Sequence, residues 1–410
     1  MKSLLTVAII IVSFVVNGQT HSLDYFIQQA QQNSPFIQDY NNQILSARLD
    51  SQLLRASLKT QVNFTTTNSY SPVIAGFGYD GAITNGANIS AVVQANRNFI
   101  SKNNNASQFA ALGLQARSLS DTISIARQDL KKTITEQYIT AYASLVAMDF
   151  NEEIYTLLKK EEEVLKKLTQ ASVYKQVDYL AFYTTMQQQQ FSFLQSKIQY
   201  STDYLTLNYL AGIVDTTVER VSRPSLKDTI QTDFYSSVFY KRYVTDSLRL
   251  AIEKSLIAYQ YKPRIGAYTD AGYISTLVEN AHKNFGLSVG VSMTVPIYDG
   301  HQRQLKMGQV DIREKTRLNN RSFFVNQYQQ QVAQLKLQLQ QSDFLVKTIN
   351  EQIKYINTLL SANAKLLQTG DIRVSDYVLA ISNYMNARNL LNQNEINRLR
   401  IVNQINYWNR

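Results

Sequence analysis

The sequence predicts a mainly α-helical chain that carries a small quantity of β-structure of membrane-spanning length, with the whole pattern written twice. Three observations carry this. The stretch "FGLSVGVSMTVPIYDG" (285–300) alternates apolar and small residues almost without error. Two very long stretches contain no proline and keep heptad spacing. Segments far apart in the chain recur at a constant offset.

In the alternating stretch Phe285, Leu287, Val289, Val291, Met293 and Val295 are apolar, and Gly286, Ser288, Gly290, Ser292 and Thr294 stand between them. Strand side chains alternate faces, so one face is greasy and the other is not. The first half repeats this with Ile89, Ala91, Val93 and Ala95, set against Asn88, Ser90, Gln94 and Asn96. Two fainter strands precede these, marked by Val62 and Phe64 and by Ile265, Ala267 and Ala271. The expected strands cover about 60–70, 87–98, 262–275 and 284–297, long enough to cross a bilayer when tilted.

"VPIYDGHQRQ" at 295 follows "RNFISKNNNA" at 97 by 198 residues, and "IRVSDYVLA" at 372 follows "YKQVDYLAF" at 174 by the same 198. The first strands pair at an offset of 203, which puts the length difference in the loop between the strands. A recurrence of this kind marks a duplicated architecture. The first repeat is expected at 19–211, with helices at about 102–170 and 176–211. The second is expected at 246–410, with helices at about 301–369 and 374–408. Residues 212–245 lack long periodicity and read as a small mixed insertion at the waist of the helical part.

Leu112, Ala116, Leu119, Ile123, Ala126 and Leu130 form a heptad seam, and Ile349, Ile353, Ile356, Leu360 and Leu367 form another. A helix of that size runs for roughly 100 Å, more than three times the hydrocarbon thickness, so most of it must stand in water. Residues 1–18 read as a secretory signal: Lys2, then "LLTVAIIIVSFVV", then Val16 and Gly18 at the cleavage positions.

The chain has no cysteine, which excludes disulfides, thiolate metal sites and lipid attachment through a thiol. A formal charge of +10 without basic–aromatic clusters reads as a solvated surface and no nucleic-acid partner. "GFGYDG" (76–81) fits a dinucleotide fingerprint only in its letters, because no helix follows it; a loop is expected. The three histidines, His21, His282 and His301, have no metal-ligand spacing. No nucleophile elbow or phosphate loop is present, so no enzyme and no cofactor are expected.

"KKEEEVLKK" (159–167) places Glu162 before Lys166 and Glu163 before Lys167 at i, i+4 on an exposed face, either a solvated surface or a candidate docking surface. The helix breaks are "TQASVYKQVDY" (169–179) and "QTGDIRVSDY" (368–377). Gly370 suits a helix C-terminus, and Asp371 or Ser375 suits a cap. Asp178 and Asp376 are first-turn acids or lining of an aperture.

The helices have their own seam and no second sheet exists, so the greasy strand face is expected to meet lipid. Strands span lipid only as a closed barrel, and four cannot close. Strands must therefore be pooled between copies: two copies give eight, three give twelve. Tyr70, Phe77, Tyr79, Tyr273, Phe285 and Tyr298, near strand ends, suit interfacial girdles.

The "SVGVSMTVPIYDG" junction, the "LLQTGDIRVSDYVLAISNYMNARNLLNQ" turn and helix, and the duplicated halves resemble the TolC family of outer-membrane efflux proteins. The resemblance implies a homotrimer in the outer membrane of a Gram-negative bacterium. Four strands from each protomer would form a twelve-stranded barrel that continues into a long α-helical coiled-coil barrel across the periplasm. It implies a passive exit duct for small molecules, docked on a periplasmic adaptor (membrane fusion) protein and an inner-membrane pump of RND or ABC type. A duct for protein secretion and a soluble coiled-coil scaffold are the alternatives. Carried over by position, Asp376 falls on one aspartate of the family's constricting rings, and Asp178 on an acid of the links between coils. Leu379 takes the second ring position, and Leu367 and Ile372 take those of the linking tyrosine and arginine, so the family's usual latch is missing. Arg373 lies one residue from a linking position, a step of about 100° around a helix.

Overall fold

The computed structural model describes residues 21–78, 87–227, 234–276 and 281–408. The expected signal segment, Tyr79 and the end of the "GFGYDG" loop lie outside the described residues, as does 228–233 of the insertion. The chain forms two compact units, and each draws on both halves of the sequence.

Among the described residues the first unit comprises 21–35, 126–227 and 328–408. It holds α1 (Leu23–Asn33), the later part of α3 (Lys102–Gln170), α4 (Gln176–Ala211), the later part of α6 (Gln302–Thr369) and α7 (Val374–Trp408). The second heptad seam is buried at Ile349, Ile353 and Leu367, whereas in the first only Ile123 is buried and the other positions are half-buried. Ile349 and Ile353 of α6 pack on Ala387 and Leu391 of α7, and Leu335 and Leu339 pack on Val402 and Ile405. A second core joins Phe26 and Ala30 of α1 to Tyr138, Leu145, Tyr204 and Leu207. The irregular stretch after α4 is tied to this core by side chains. The Tyr138 hydroxyl donates to the Ser222 carbonyl at 2.9 Å, and Val221 N–H donates to the Tyr200 hydroxyl at 3.1 Å. Helix α4 stops at Gly212, whose φ of +68° is left-handed, and Asn33 Nδ2 donates to the carbonyls of Ala211 and Gly212 at 3.2 and 3.1 Å.

Among the described residues the second unit comprises 36–78, 87–125, 234–276 and 281–327. It holds α2 (Pro35–Ser57), β1 (Gln61–Tyr70), β2 (Ala87–Phe99), the start of α3, α5 (Val238–Gln260), β3 (Arg264–Ser275), β4 (Phe285–Thr294) and the start of α6. The strands form one antiparallel sheet in the order β1-β2-β3-β4. Helix α5 begins inside the span read as insertion, because Ser237 caps it by accepting from Tyr240 N–H at 3.2 Å. Helix α6 begins one residue later than its sequence suggests: His301 has φ +63°, and the Asp299 carboxylate takes the N–H groups of His301 and Arg303 at 3.0 and 2.8 Å. Strand β4 ends at Thr294, opposite Arg264 where β3 begins, so Val295 lies past the strand instead of within it. Pro296 has no N–H with which to extend the ladder.

At Gly212 an added Cβ would stand 2.7 Å from Asn33 Cβ, on a backbone that L-residues resist. Gly212→Ala is expected to cost at least about 1–2 kcal/mol, read as a lower midpoint in denaturant with an unchanged slope.

Candidate functional site

In the second unit the strand register decides which side chains share a face. Phe285, Leu287, Val289, Val291 and Met293 pair across to Tyr273, Ala271, Thr269, Ala267 and Ile265. Those pair in turn with Ala91, Val93, Ala95, Arg97 and Phe99, with Ile89 opposite Ser275. Val93 and Ala95 then pair with Phe64 and Val62. One face is therefore mainly apolar, interrupted by Thr66, Asn68 and Thr269, with Arg97 near one end lying over the Phe99 ring. It is uncovered: Phe285, Leu287, Val289 and Val291 are 73–77% exposed.

The other face carries Asn63, Thr65 and Thr67 on β1, Ser90, Gln94 and Asn96 on β2, and the Gly/Ser/Thr set on β4. Tyr268 lies flat across Gly290, where a Cβ would come within 2.3 Å of its ring. Asp270 of β3 accepts from the Ser288 hydroxyl at 2.6 Å. The outer edges of β1 and β4 have no partner strand among the described residues.

In the first unit, the turns α3–α4 and α6–α7 form a tip. Both long helices end in the same motif. Val173 N–H reaches back to the Leu168 carbonyl and Ser172 N–H to Thr169; Asp371 N–H reaches Leu366 and Gly370 N–H reaches Leu367. The residue at the left-handed position is Gly370 (φ +80°) in one turn and Ser172 (φ +64°) in the other. The turns touch, since a Cβ on Gly370 would lie 2.7 Å from Val173 Cγ1. A side chain also bridges them: the Tyr174 hydroxyl lies 3.0 Å from the carbonyl oxygens of both Leu367 and Ile372. Burial raises the Tyr174 pKa, and the negative charges of Asp371 and Asp178 add to the shift.

Behind this bridge lies an apolar core of Leu158, Leu165, Phe182, Leu367, Val374 and Tyr377. Glu161 sits within the same packing at 4% exposure. Its Oε2 and the Tyr377 hydroxyl, both buried, have no hydrogen-bond partner among the described residues. Burial raises the pKa of Glu161, opposed by the neighbouring Lys160 charge. Burial and then the charge of Glu161 raise that of Tyr377.

No family model and no curated protein matches the sequence. Solved structures do match. The structure of CusC, described for transmembrane channel formation, aligns with a TM-score of 0.76 at 11% identity, covering 94% of this chain and 92% of that one. VceC, an outer membrane protein of Vibrio cholerae, aligns with a TM-score of 0.76 at 12% identity, covering 94% and 96%. The open-state MtrE outer membrane channel of Neisseria gonorrhoeae aligns at 0.74 and 12%, covering 94% and 88%. The chain has the fold of the TolC-family outer-membrane channels.

Within that channel fold the tip gathers most of the candidate aperture residues. Asp178 and Asp376 stand in the first turns of α4 and α7. The Asp371 carboxylate accepts from the Thr369 hydroxyl at 2.6 Å, so it is engaged on the α6 side and not as a cap of α7. Ser375 lies inside α7 with its hydroxyl 3.5 Å from Asp376, and Arg373 supplies the carbonyl that starts the helix. Leu367 and Ile372 take part through their main-chain carbonyls. The bridging tyrosine comes from the opposite turn as Tyr174.

Glu163, Lys166 and Lys167 are exposed. Among the described residues neither i, i+4 ion pair closes. Glu162 accepts instead from the Tyr179 hydroxyl at 2.6 Å, and this bond first, then burial, pushes the Tyr179 pKa up to about 12. Tyr174, Ser172 and Glu161 escaped the sequence reading. Only Glu161 left a signal there: it continues the buried spacing of Ile154, Leu158 and Leu165.

Tyr174→Phe keeps the ring and removes the bridge, and is expected to destabilise the tip by about 0.5–1.5 kcal/mol, seen as faster proteolysis at 368–373. Glu161 packs with a raised pKa, so its contribution is fully present below the ordinary carboxylate pKa and is lost as pH rises through the raised one. Amide protection of 154–165, corrected for intrinsic exchange, is expected to fall as pH rises from about 4 to about 8 and to stay flat in Glu161→Gln.

Proposed function

We propose that this chain is an outer-membrane channel of a Gram-negative bacterium, a homotrimer serving as the passive exit duct of an efflux system. The observation that carries the reading is the sheet: open at both edges, apolar on one exposed face, polar on the other. Water solvates such edges, but hydrocarbon does not, and the only strand assembly that spans lipid is a closed barrel. Three copies supply twelve strands. On this reading the apolar face, from Ile89 and Val93 across to Met293, meets lipid, and the Ser/Thr/Asn/Gly face lines the pore.

The helices support pooling between copies independently. Val177, Phe191 and Ile198 of α4 repeat at heptad intervals with Leu180 and Leu194 between them, all of them exposed. On α6 the exposed pairs Leu337 with Phe344 and Leu359 with Leu366 are likewise seven apart. A heptad seam without a partner in its own chain is a surface for a neighbouring coil.

The tip acids Asp178, Asp371 and Asp376 line the periplasmic aperture, with Arg373 beside them. The Glu162–Lys167 stretch docks a periplasmic adaptor protein, which couples the duct to an inner-membrane RND or ABC pump. Cargo is driven by that pump, and the duct performs no chemistry. The similar solved structures are channel proteins, which agrees with this.

The test is fractionation followed by electrophoresis and planar-bilayer recording. Expected are an SDS-resistant oligomer from the outer-membrane fraction, converted to protomer by boiling, and discrete conductance steps. A monomer in the soluble periplasmic fraction would overturn the reading in favour of a scaffold.

A further inference from the structure

We propose that Asp270 forms an acidic belt inside the β-barrel and gives the channel a cation preference of its own, separate from that of the helical tip. The proposal rests on the trimeric channel reading above. It names the cargo class the barrel admits most readily: small cationic or uncharged polar solutes.

Among the described strand residues the polar face bears two charged side chains, Asp270 and Arg264. Everything else on it is hydroxyl, carboxamide, glycine or a few larger uncharged groups. Arg264 stands at the helix-side end of β3, opposite Thr294, with its guanidinium donating to the Gln260 carbonyl at 3.2 Å. Asp270 lies mid-strand, between Gln94 on one side and Ser288 on the other. The six-residue separation amounts to roughly 20 Å along the strand. That is about two Debye lengths at 0.1 M salt, so the arginine does not cancel the acid. Arg97, the remaining strand charge in this neighbourhood, belongs to the opposite face.

The carboxylate is held in place as well as placed. Ser288 Oγ donates to Asp270 Oδ2 at 2.6 Å, and Thr269 Oγ1 donates to the Ser288 carbonyl at 3.0 Å, fixing the β3–β4 pair at this height. Two residues away on the same face, the Tyr268 ring is folded down over Gly290, so the nearest bulky group lies along the wall.

Twelve strands at about 4.8 Å spacing and about 40° tilt give a barrel of roughly 12 Å radius. Three carboxylates then lie roughly 9 Å from the axis. The Debye length is about 10 Å at 0.1 M salt and about 3 Å at 1 M, so the belt acts across the whole lumen in dilute salt and vanishes in concentrated salt.

The experiment is the reversal potential of purified trimers in planar bilayers under a KCl gradient, at low and at about 1 M salt. Asp270→Asn is expected to lower the K⁺/Cl⁻ permeability ratio about two- to fivefold at low salt and leave it unchanged at high salt. Asp376→Asn, measured alongside, reports the tip separately. Because the chain has no cysteine, Asp270→Cys carries its only thiol. A water-soluble cationic thiosulfonate is expected to reduce the cation preference of that variant, and an anionic one to restore it. Channels whose ratio is unchanged by Asp270→Asn, or a thiol at 270 that reacts with neither reagent, would overturn the belt and leave the channel reading standing. Wild-type protein that forms no channel would overturn both.

Discussion

Every strand residue except proline brings one N–H and one C=O to be paired, and the outer rows of β1 and β4 have no partner strand among the described residues. Most proteins that leave an edge open protect it with short strands, charges or a covering helix. Here the edge strands have 10 residues each and no charged side chain. The face beside them is apolar and exposed. An open, flat, greasy sheet would be an aggregation hazard in water. Such a sheet ceases to be a hazard when its edges are joined and its greasy face lies against lipid, which is the physical constraint behind the proposed barrel.

The tip works under a different balance. Its stability comes from apolar packing along the α3, α4, α6 and α7 seams, and the polar bridge between the turns is a single tyrosine hydroxyl against two main-chain carbonyls. A net hydrogen bond of this kind contributes on the order of 1 kcal/mol, small beside the burial of Phe182 or Leu367. Into that apolar packing the chain inserts Glu161 and the Tyr377 hydroxyl, two groups whose burial is costly without partners. The combination is a junction that holds together by shape and is weakened from within.

How much of this could be read from the residues depends on what each feature writes into the sequence. Strand β4 was legible because every second residue from Phe285 to Met293 is large and apolar. Strand β1 was faint because Thr66 and Asn68 share the face of Val62 and Phe64. The register that sets Asp270 beside Ser288 was not legible, since pairing depends on contacts across a loop. At the tip, Gly370 announced its left-handed turn, whereas Ser172 adopts the same conformation with a residue type that gives no such sign. Tyr174 was invisible for a related reason: its acceptors are main-chain carbonyls, which the residue types at 367 and 372 do not announce. Glu161 was hidden in plain sight, inside the charged stretch 159–167 that attracts the eye.

The parity of the sheet decides how copies can join. An antiparallel meander of four strands leaves β4 running opposite to β1. When the β4 edge of one copy meets the β1 edge of the next, the ladder therefore stays antiparallel without any exception. That contact is head-to-tail, and such contacts close into rings when the rotation per copy divides a full turn. A meander with an odd number of strands would force one parallel joint per copy and break the uniform tilt. The exposed heptad seams sit on α4 and α6, and a head-to-tail joint that lays α4 of one copy against α6 of the next covers both. Strands and helices thus ask for the same cyclic operation, although they satisfy unrelated physical needs: backbone pairing in the sheet and side-chain burial in the coils.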